Sequence, residues 1–492
     1  MHILEEASRC LLCADAPCTK ACKGGDPAKA IRSIRFDNVA NARKWVKGCT
    51  DEELEAAEKA CIHYDFPIRI REMVKELPDA PERPLPSLEI DFCGIRCENP
   101  FFLASSAVGT NSERVARALE AGWGGVFYKT ICLQEIKEVS PRFDAVYGGG
   151  KKGDFYGFRN MEQLSENTVE MDFDILRRLK RDYPSKIIIA SIMGQKEEDW
   201  GELAKMAEDA GCDAVELNFS CPQMREAGMG SDVGQDPELV TFFTAYVKRS
   251  VSIPVITKMT PNIAHISGPA MGAYFAGADA ISAINTIKSI TMGDGSEVSG
   301  YQTGSGYSGR AVKPIALRHI LSMAQNPMMK NIEYSGVGGI ETWHDALEFI
   351  RLGCRNVQVC TAVMQYGYRI IEDLILGLQT YLAERGVRHL TDLVGELLPF
   401  FRLPSDLDRS SIVYPKFDSS KCIGCGRCTI SCQDGGHQAL VFDPETRRPR
   451  FIGPKCVGCH LCRLVCPVGA ISSAKRVKNL KIMLPGLALN KI

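Results

Sequence analysis

At 492 residues the chain exceeds one ordinary domain, and 59 basic against 60 acidic side chains leave no electrostatic case for nucleic acid or an anionic membrane surface. No apolar run reaches the roughly 18 residues of a membrane span; KIIIASIMG (186–194) is the best, and MHILEEASRC lacks the basic and apolar regions of an export signal, so a cytoplasmic protein is expected. Twenty-one cysteines then need a reason, and in a reducing compartment they point to metal ligation or catalysis rather than disulfides.

Residues 1–80 are polar, helical in pattern and rich in cysteine. Cys10, Cys13, Cys18 and Cys22 follow C-x2-C-x4-C-x3-C, close enough to surround an iron–sulfur cluster. Zinc, or a remnant without metal, is the alternative; Cys49 and Cys61 could exchange into the set, complete a second cluster or be ordinary buried thiols. PDAPERPLP (78–86) reads as a linker.

From 88 to 385, eight strand-like runs alternate with helical ones: FFLASSAV, GGVFYKT, KIIIASIMG, DAVELNFSC, PVITKMT, DAISAINTI, IEYSGVGGI and NVQVCTAV. Eight β/α units over this length predict a (β/α)₈ TIM barrel in an α/β chain, with an open doubly wound sheet as the competitor. Residues 386–415 read as a connecting segment, 416–475 as a compact ferredoxin-like module and 476–492 as a basic tail.

The fourth run ends in an amide, a hydroxyl and a thiol: Asn218, Ser220 and Cys221, with Pro222 next. Barrel active sites form at the C-terminal strand ends, so Cys221 is expected to donate or remove a proton there, beside a flavin. A flavin needs a phosphate anchor, and Gly338–Gly339, Cys360–Thr361 and Ser308–Gly309 stand where backbone amides could supply it. Lys129 and Lys258 sit inside strand patterns, where an idle charge is disfavoured, and can face the flavin ring. Asn285 and Thr286 end the sixth run and can hydrogen-bond a flat polar substrate. Cys132, Cys212 and Cys354 lack polar company and read as core. GSGYSG (304–309) matches G-x-G-x-x-G but does not open a helix after a strand, so the chain is expected to lack its own nicotinamide site.

Cys422, Cys425, Cys428 and Cys432 follow C-x2-C-x2-C-x3-C, and Cys456, Cys459, Cys462 and Cys466 repeat it. This is the run of a two-cluster bacterial ferredoxin, in which the fourth cysteine ligates the other [4Fe–4S] cluster. The expected sets are therefore Cys422, Cys425, Cys428 with Cys466, and Cys456, Cys459, Cys462 with Cys432. CVGCH (456–460) also fits a haem attachment motif, but that explains two cysteines where the ferredoxin explains eight.

With NFSCP, KMTPN, AINT, GYSG, GGIET and QVCTAV in order before that module, residues 88–475 resemble the FMN and ferredoxin domains of the dihydropyrimidine dehydrogenase family, near its bacterial NAD-dependent form. EEASRCLLCADAPCTKAC resembles the N-terminal iron–sulfur segment of the long single-chain form, which in the bacterial enzyme belongs to the partner subunit. The resemblance implies FMN, two C-terminal [4Fe–4S] clusters and an additional N-terminal one. It implies reduction of uracil or thymine to the 5,6-dihydropyrimidine, with hydride passing from FMN N5 to C6 and a proton from Cys221 to C5. Asn160, Glu162, Asn218, Ser220, Asn285 and Thr286 match substrate contacts; Ala104, Ser105, Lys129, Lys258, Ser308, Gly309, Gly339, Cys360 and Thr361 match flavin contacts. It also implies electrons from an NAD(P)H-oxidising FAD flavoprotein partner and a homodimeric core. PQMREAGMG after Cys221 departs from the animal loop. Dihydroorotate dehydrogenase is the nearest rival, opposed by GFRNMEQLSEN and Gln223; a non-catalytic electron-transfer subunit, or a reductase of another activated C=C bond, are the others.

Overall fold

All eight apolar runs become neighbours in one closed barrel: β1 (Phe101–Leu103), β2 (Gly125–Phe127), β3 (Ile187–Ile192), β4 (Ala214–Asn218), β5 (Val255–Lys258), β6 (Ala280–Ala283), β7 (Glu333–Val337) and β8 (Cys354–Val359). Every pairing is parallel, and β8 closes on β1 with Val357 opposite Phe101. Residues of β2 through β6 are buried without exception, because side chains fill the barrel on one face and helices cover the other. That double burial is why the runs read as continuously apolar. The return helices start on side-chain caps where the sequence supplies them; Thr342 and Asp345 form a reciprocal capping box before Trp343–Arg351.

The computed structural model describes residues 3–80, 82–148, 154–222, 224, 228–290 and 304–479. It divides into two compact units, 1–399 and 400–492. Gln223 and most of the PQMREAGMG loop that follows Cys221 lie outside the described residues.

Insertions after β2 and β6 build a second sheet of four strands, Ile287–Ser289, Ser305–Ser308, Asp154–Asn160 and Phe143–Gly148 in spatial order. The GSGYSG stretch is thus largely a strand, with Gly306 opposite Asn160. Its glycines answer to close approach: a Cβ on Gly306 would lie 2.4 Å from Thr286 Oγ1, and one on Gly157 would lie 2.0 Å from the Ser308 carbonyl.

The helices of residues 3–80 enclose their own apolar core, with Ala30, Ile31, Ile34, Leu54, Ile68 and Met73 buried. They nonetheless belong to the same unit as the barrel. The joint is a buried ion pair: Arg32 Nε donates to Asp373 at 2.6 Å, and Ser33 Oγ (2.6 Å) and Asn38 Nδ2 (3.1 Å) donate to the same carboxylate. Asp373 lies on the last barrel helix, Ile371–Arg385, and is fully buried. Trp343 Nε1 adds a hydrogen bond to the Asp37 carbonyl at 2.8 Å.

In the second unit, Ser411–Phe417 pairs antiparallel with Ile471–Lys478, and Leu440–Asp443 with Arg448–Phe451. Two sequence-based boundaries shift accordingly. Residues 411–415, read as connector, and 476–478, read as tail, are strand; the division between units falls inside the 386–415 segment. Beyond Ile471 almost every residue of that last strand faces solvent, which gave it the composition of a tail. Residues 480–492 lie outside the described residues. Among the described residues no helix is long and apolar enough to cross a membrane.

Candidate active site

At the C-terminal end of the barrel strands opens a cleft of about 1040 Å³, continuous with solvent. Ala104, Ser105, Lys129, Asn218, Cys221, Lys258, Asn285 and Thr286 reach it from the ends of β1, β2, β4, β5 and β6. Gly338, Gly339, Cys360 and Thr361 line it after β7 and β8, and Asn160, Glu162, Ser308 and Gly309 come from the four-stranded sheet and its edges. Of the residues expected at the barrel site, Ser220 alone is absent from the wall. It is fully buried behind it.

Ser220 sets the two asparagines. Its N–H and Oγ donate to Asn218 Oδ1 at 3.1 and 2.7 Å, while Asn285 Nδ2 donates to Ser220 Oγ at 2.9 Å. Asn218 Nδ2 donates to Thr130 Oγ1 at 2.9 Å, so both amides have fixed orientations at the mouth. Cys221, 6% exposed, is held by its own backbone: its carbonyl accepts the Ser231 N–H at 2.9 Å. Gly230 permits that contact, at φ 57° and with no room for a Cβ, which would lie 2.5 Å from the Cys221 carbonyl oxygen.

Both lysines are buried and paired. Lys129 Nζ lies 3.1 Å from Glu162 Oε2, and Arg142 Nη1 lies 3.7 Å from Oε1 of the same carboxylate. Lys258 Nζ lies 3.7 Å from Glu216 Oε1 and 3.5 Å from Gln358 Oε1. Glu216, wholly buried inside the barrel, accepts Ser191 Oγ at 3.1 Å and Ser282 Oγ at 2.9 Å; Gln358 Nε2 donates to Ser282 and Ser335 hydroxyls at 3.2 and 2.8 Å. A buried charge this well satisfied is tolerable, and here it keeps a cation at the cleft floor. Sequence reasoning missed this layer; the one signal was a glutamate inside VELN and a glutamine inside VQV.

Toward β7 and β8 the wall becomes backbone. Gly309, Gly338 and Gly339 have φ of 123°, 128° and 73°. A Cβ on Gly339 would sit 2.8 Å from the Lys313 nitrogen and 3.0 Å from the Gly309 carbonyl. Cys360 does not lie on the strand as expected. It is the N-cap of the helix Thr361–Tyr366, and burial pushes its thiol pKa up, keeping it a neutral wall. Thr361 Oγ1 donates to Ser308 Oγ at 3.2 Å, tying the two sides. Cationic floor, fixed amides and a glycine-lined end fit a flavin phosphate and ring. Gly339→Ala should therefore strip flavin from the purified protein; a flavin-to-protein absorbance ratio equal to wild type would contradict this assignment.

In the second unit, Cys422, Cys425, Cys428 and Cys466 line one pocket. Cys432, Cys456 and Cys462 are buried together, while Cys459 is exposed. Backbone N–H groups of Ala439, Gly458 and Ala470 donate to the sulfurs of Cys432, Cys456 and Cys466 at 3.2–3.4 Å. Burial, and then the neighbouring sulfurs of Cys428, Cys432 and Cys456, push the Cys462 thiol up to about 11. Thiols so crowded, with amides aimed at their sulfurs, suit cluster ligation.

The N-terminal cysteines regroup relative to the spacing-based set. Cys10, Cys13, Cys18 and Cys61 line one small cavity with Ile31, Ile68 and His63. Burial, with Cys10, Cys61 and Cys13 nearby, pushes the Cys18 thiol up to about 11. Cys22 is not part of that wall. The helix Pro17–Lys20 ends before it and its sulfur joins Cys49 and Glu53, while the helix Asp51–Lys59 carries the chain back so that Cys61 takes its place. Cys132, Cys212 and Cys354 are buried core thiols.

Residues 87–382 match the family model described as dihydroorotate dehydrogenase, and 416–473 the one described as a 4Fe-4S dicluster domain; neither match reaches residues 1–86. The protein is thus an oxidoreductase built as a flavin-type barrel joined to a dicluster ferredoxin. It is 52% identical over 390 residues to the NAD-dependent dihydropyrimidine dehydrogenase subunit PreA of Escherichia coli (strain K12), covering 78% of this chain and 94% of that one. It is 38% identical over 340 residues to the chloroplastic dihydropyrimidine dehydrogenase (NADP(+)) of Arabidopsis thaliana, covering 65% and 79%. The catalytic subunit of dihydroorotate dehydrogenase B (NAD(+)) from Pyrococcus abyssi is 36% identical over 312 residues, covering 63% and 98%. A solved DHODH from Eimeria tenella, in complex with ferulenol, shares the fold with a TM-score of 0.54 at 20% identity, over 65% of this chain and 90% of that one. The chain belongs to the dihydropyrimidine dehydrogenase family.

Proposed function

We propose that this chain reduces the 5,6 double bond of uracil or thymine, with Cys221 as the acid that protonates C5. The observation that carries the reading is the position of Cys221 at the tip of β4, in one cleft with Asn218, Asn285, Thr286, Asn160 and Glu162. A pyrimidine edge alternates N–H donors and C=O acceptors, and oriented amides with a carboxylate can meet both kinds. FMN, when bound, supplies the hydride. Cys221 holds the proton: a thiol is a weak acid that can still give its proton up to a carbon centre. Lys258, over Glu216, keeps positive charge at the cleft floor, and Lys129 does so beside Glu162.

Electrons reach the cleft from the [4Fe–4S] clusters of residues 416–475, held as Cys422, Cys425, Cys428, Cys466 and Cys456, Cys459, Cys462, Cys432. One further cluster is held by Cys10, Cys13, Cys18 and Cys61. The donor is an NAD(P)H-oxidising flavoprotein subunit, and the catalytic chain forms a homodimeric core. Under anaerobic conditions NADH alone should leave the flavin band unchanged. Dithionite should bleach it, and uracil or thymine should restore it. Reduced flavin that ignores both pyrimidines yet is reoxidised by orotate would replace this substrate with that of the dihydroorotate dehydrogenases.

Glu162→Gln tests the substrate edge separately. A hydrogen bond to a charged group is worth roughly 1.5–3 kcal/mol, so the pyrimidine KM should rise about 10- to 100-fold with flavin content unchanged. Steady-state kinetics with an unchanged KM would remove Glu162 from the substrate site.

A further inference from the structure

The regrouping of the N-terminal cysteines leaves a second thiol pair outside the cavity of Cys10, Cys13, Cys18 and Cys61. Ligand atoms of Cys22, Cys49 and Glu53 all lie within 4.8 Å of one another, and Cys22 is buried. Glu53 is not free to wander. Its Oε2 accepts the Thr50 N–H at 3.1 Å while Thr50 Oγ1 accepts the Glu53 N–H at 3.2 Å, a capping box that fixes the carboxylate beside the thiols. The chain at Gly24–Gly25 closes the other side: a Cβ on Gly25 would lie 2.8 Å from Cys49 Sγ, and one on Gly24 would lie 2.8 Å from Glu53 Oε2. Two sulfurs and one carboxylate, this close and walled by backbone, have room for a single ion and none for a cubane, whose corners hold their thiolates further apart.

We infer that Cys22, Cys49 and Glu53 form a mononuclear site for a thiophilic divalent cation, zinc in the first instance, with water in the fourth position. Zinc–sulfur bonds of about 2.3 Å and zinc–oxygen bonds of about 2.0–2.2 Å are compatible with the observed spacing, and S₂O donors suit this metal. Binding releases the two thiol protons and ties the loop at Cys22 to the N-terminal turn of Asp51–Lys59, the helix that delivers Cys61 to the neighbouring cavity. The bound ion is therefore a brace for the neighbouring cavity.

The test uses the full chain, purified anaerobically, reconstituted with iron and sulfide, then exposed to Zn²⁺ and desalted. Metal analysis should find about one zinc per chain. Cys49→Ser should lose it with iron unchanged. Glu53→Gln, which keeps both thiols, should hold zinc about tenfold more weakly against a chromophoric chelator. Co²⁺ in place of zinc should give thiolate charge-transfer and tetrahedral ligand-field bands that Cys49→Ser lacks. Equal zinc in wild type and Cys49→Ser overturns the inference. So does an iron loss of one whole cluster in Cys49→Ser, or a Cys22–Cys49 disulfide in peptides from the anaerobic protein.

Discussion

Cys221→Ser should lower the rate at which uracil reoxidises the dithionite-reduced flavin by about 10²- to 10⁴-fold, the usual contribution of a positioned general acid. Serine preserves the size of the side chain and the Cys221 carbonyl contact to Ser231, but its hydroxyl is a far weaker acid than a thiol. Flavin content and bleaching by dithionite should match wild type, since neither needs the proton. The pH profile carries the sign of the role. An acid must be protonated to work, so the wild-type rate should fall as pH rises through the thiol pKa, and the serine variant should lose that limb. Stopped-flow reoxidation across pH measures both. A variant within threefold of wild type, with the same alkaline limb, would move the acid elsewhere in the cleft.

The second large effect is structural. Asp373→Ala should free the helical layer of residues 3–80 from the barrel. The substitution leaves the buried Arg32 with Glu372 as its remaining acid, and removes the acceptor of Ser33 and Asn38 as well. Breaking a buried pair by deleting one partner costs roughly 3–5 kcal/mol, most of it from the stranded charge. Limited proteolysis should then cut near 78–86 at protease concentrations that spare wild type, and the barrel should keep its flavin. An unchanged digestion pattern would mean that the apolar contacts of Leu12 and Phe36, which join the barrel core, suffice on their own. Asp373→Asn, whose one amide oxygen keeps the acceptor for only one side of this donor set and which loses the charge, should fall between.

How much of this was legible in the sequence follows from where each residue's partners lie. The eight barrel strands were readable because parallel strands buried on both faces leave an unbroken apolar run, and chain order is also neighbour order. The four-stranded sheet was not. Its strands lie in insertions outside the β/α alternation, and its contacts are remote: Arg159 Nε donates to Ser305 Oγ at 2.7 Å across 146 residues. The same divide runs through the cleft. Asn218, Ser220 and Cys221 announce themselves by crowding three polar types onto a strand tip. Glu216 and Gln358 do not, because one polar residue in an apolar run acquires meaning only when barrel closure sets it beside Lys258 and Ser282. The N-terminal cysteines show the limit of spacing as evidence. Cys22 is nearer in sequence to Cys18 than Cys61 is, yet the turn of chain through Asp51–Lys59 brings Cys61 to the cavity.

The joint at Asp373 also bears on what the proline-rich segment does. A tether matters when the parts it joins would otherwise drift apart, and here a buried ion pair, the Trp343–Asp37 hydrogen bond and shared apolar packing already hold them. Covalent continuity and assembly are therefore separable. A chain nicked between residues 79 and 85, or expressed as two genes split there, should still travel as one particle through gel filtration. The segment that looks most like an addition to the catalytic chain would then behave as a subunit of it.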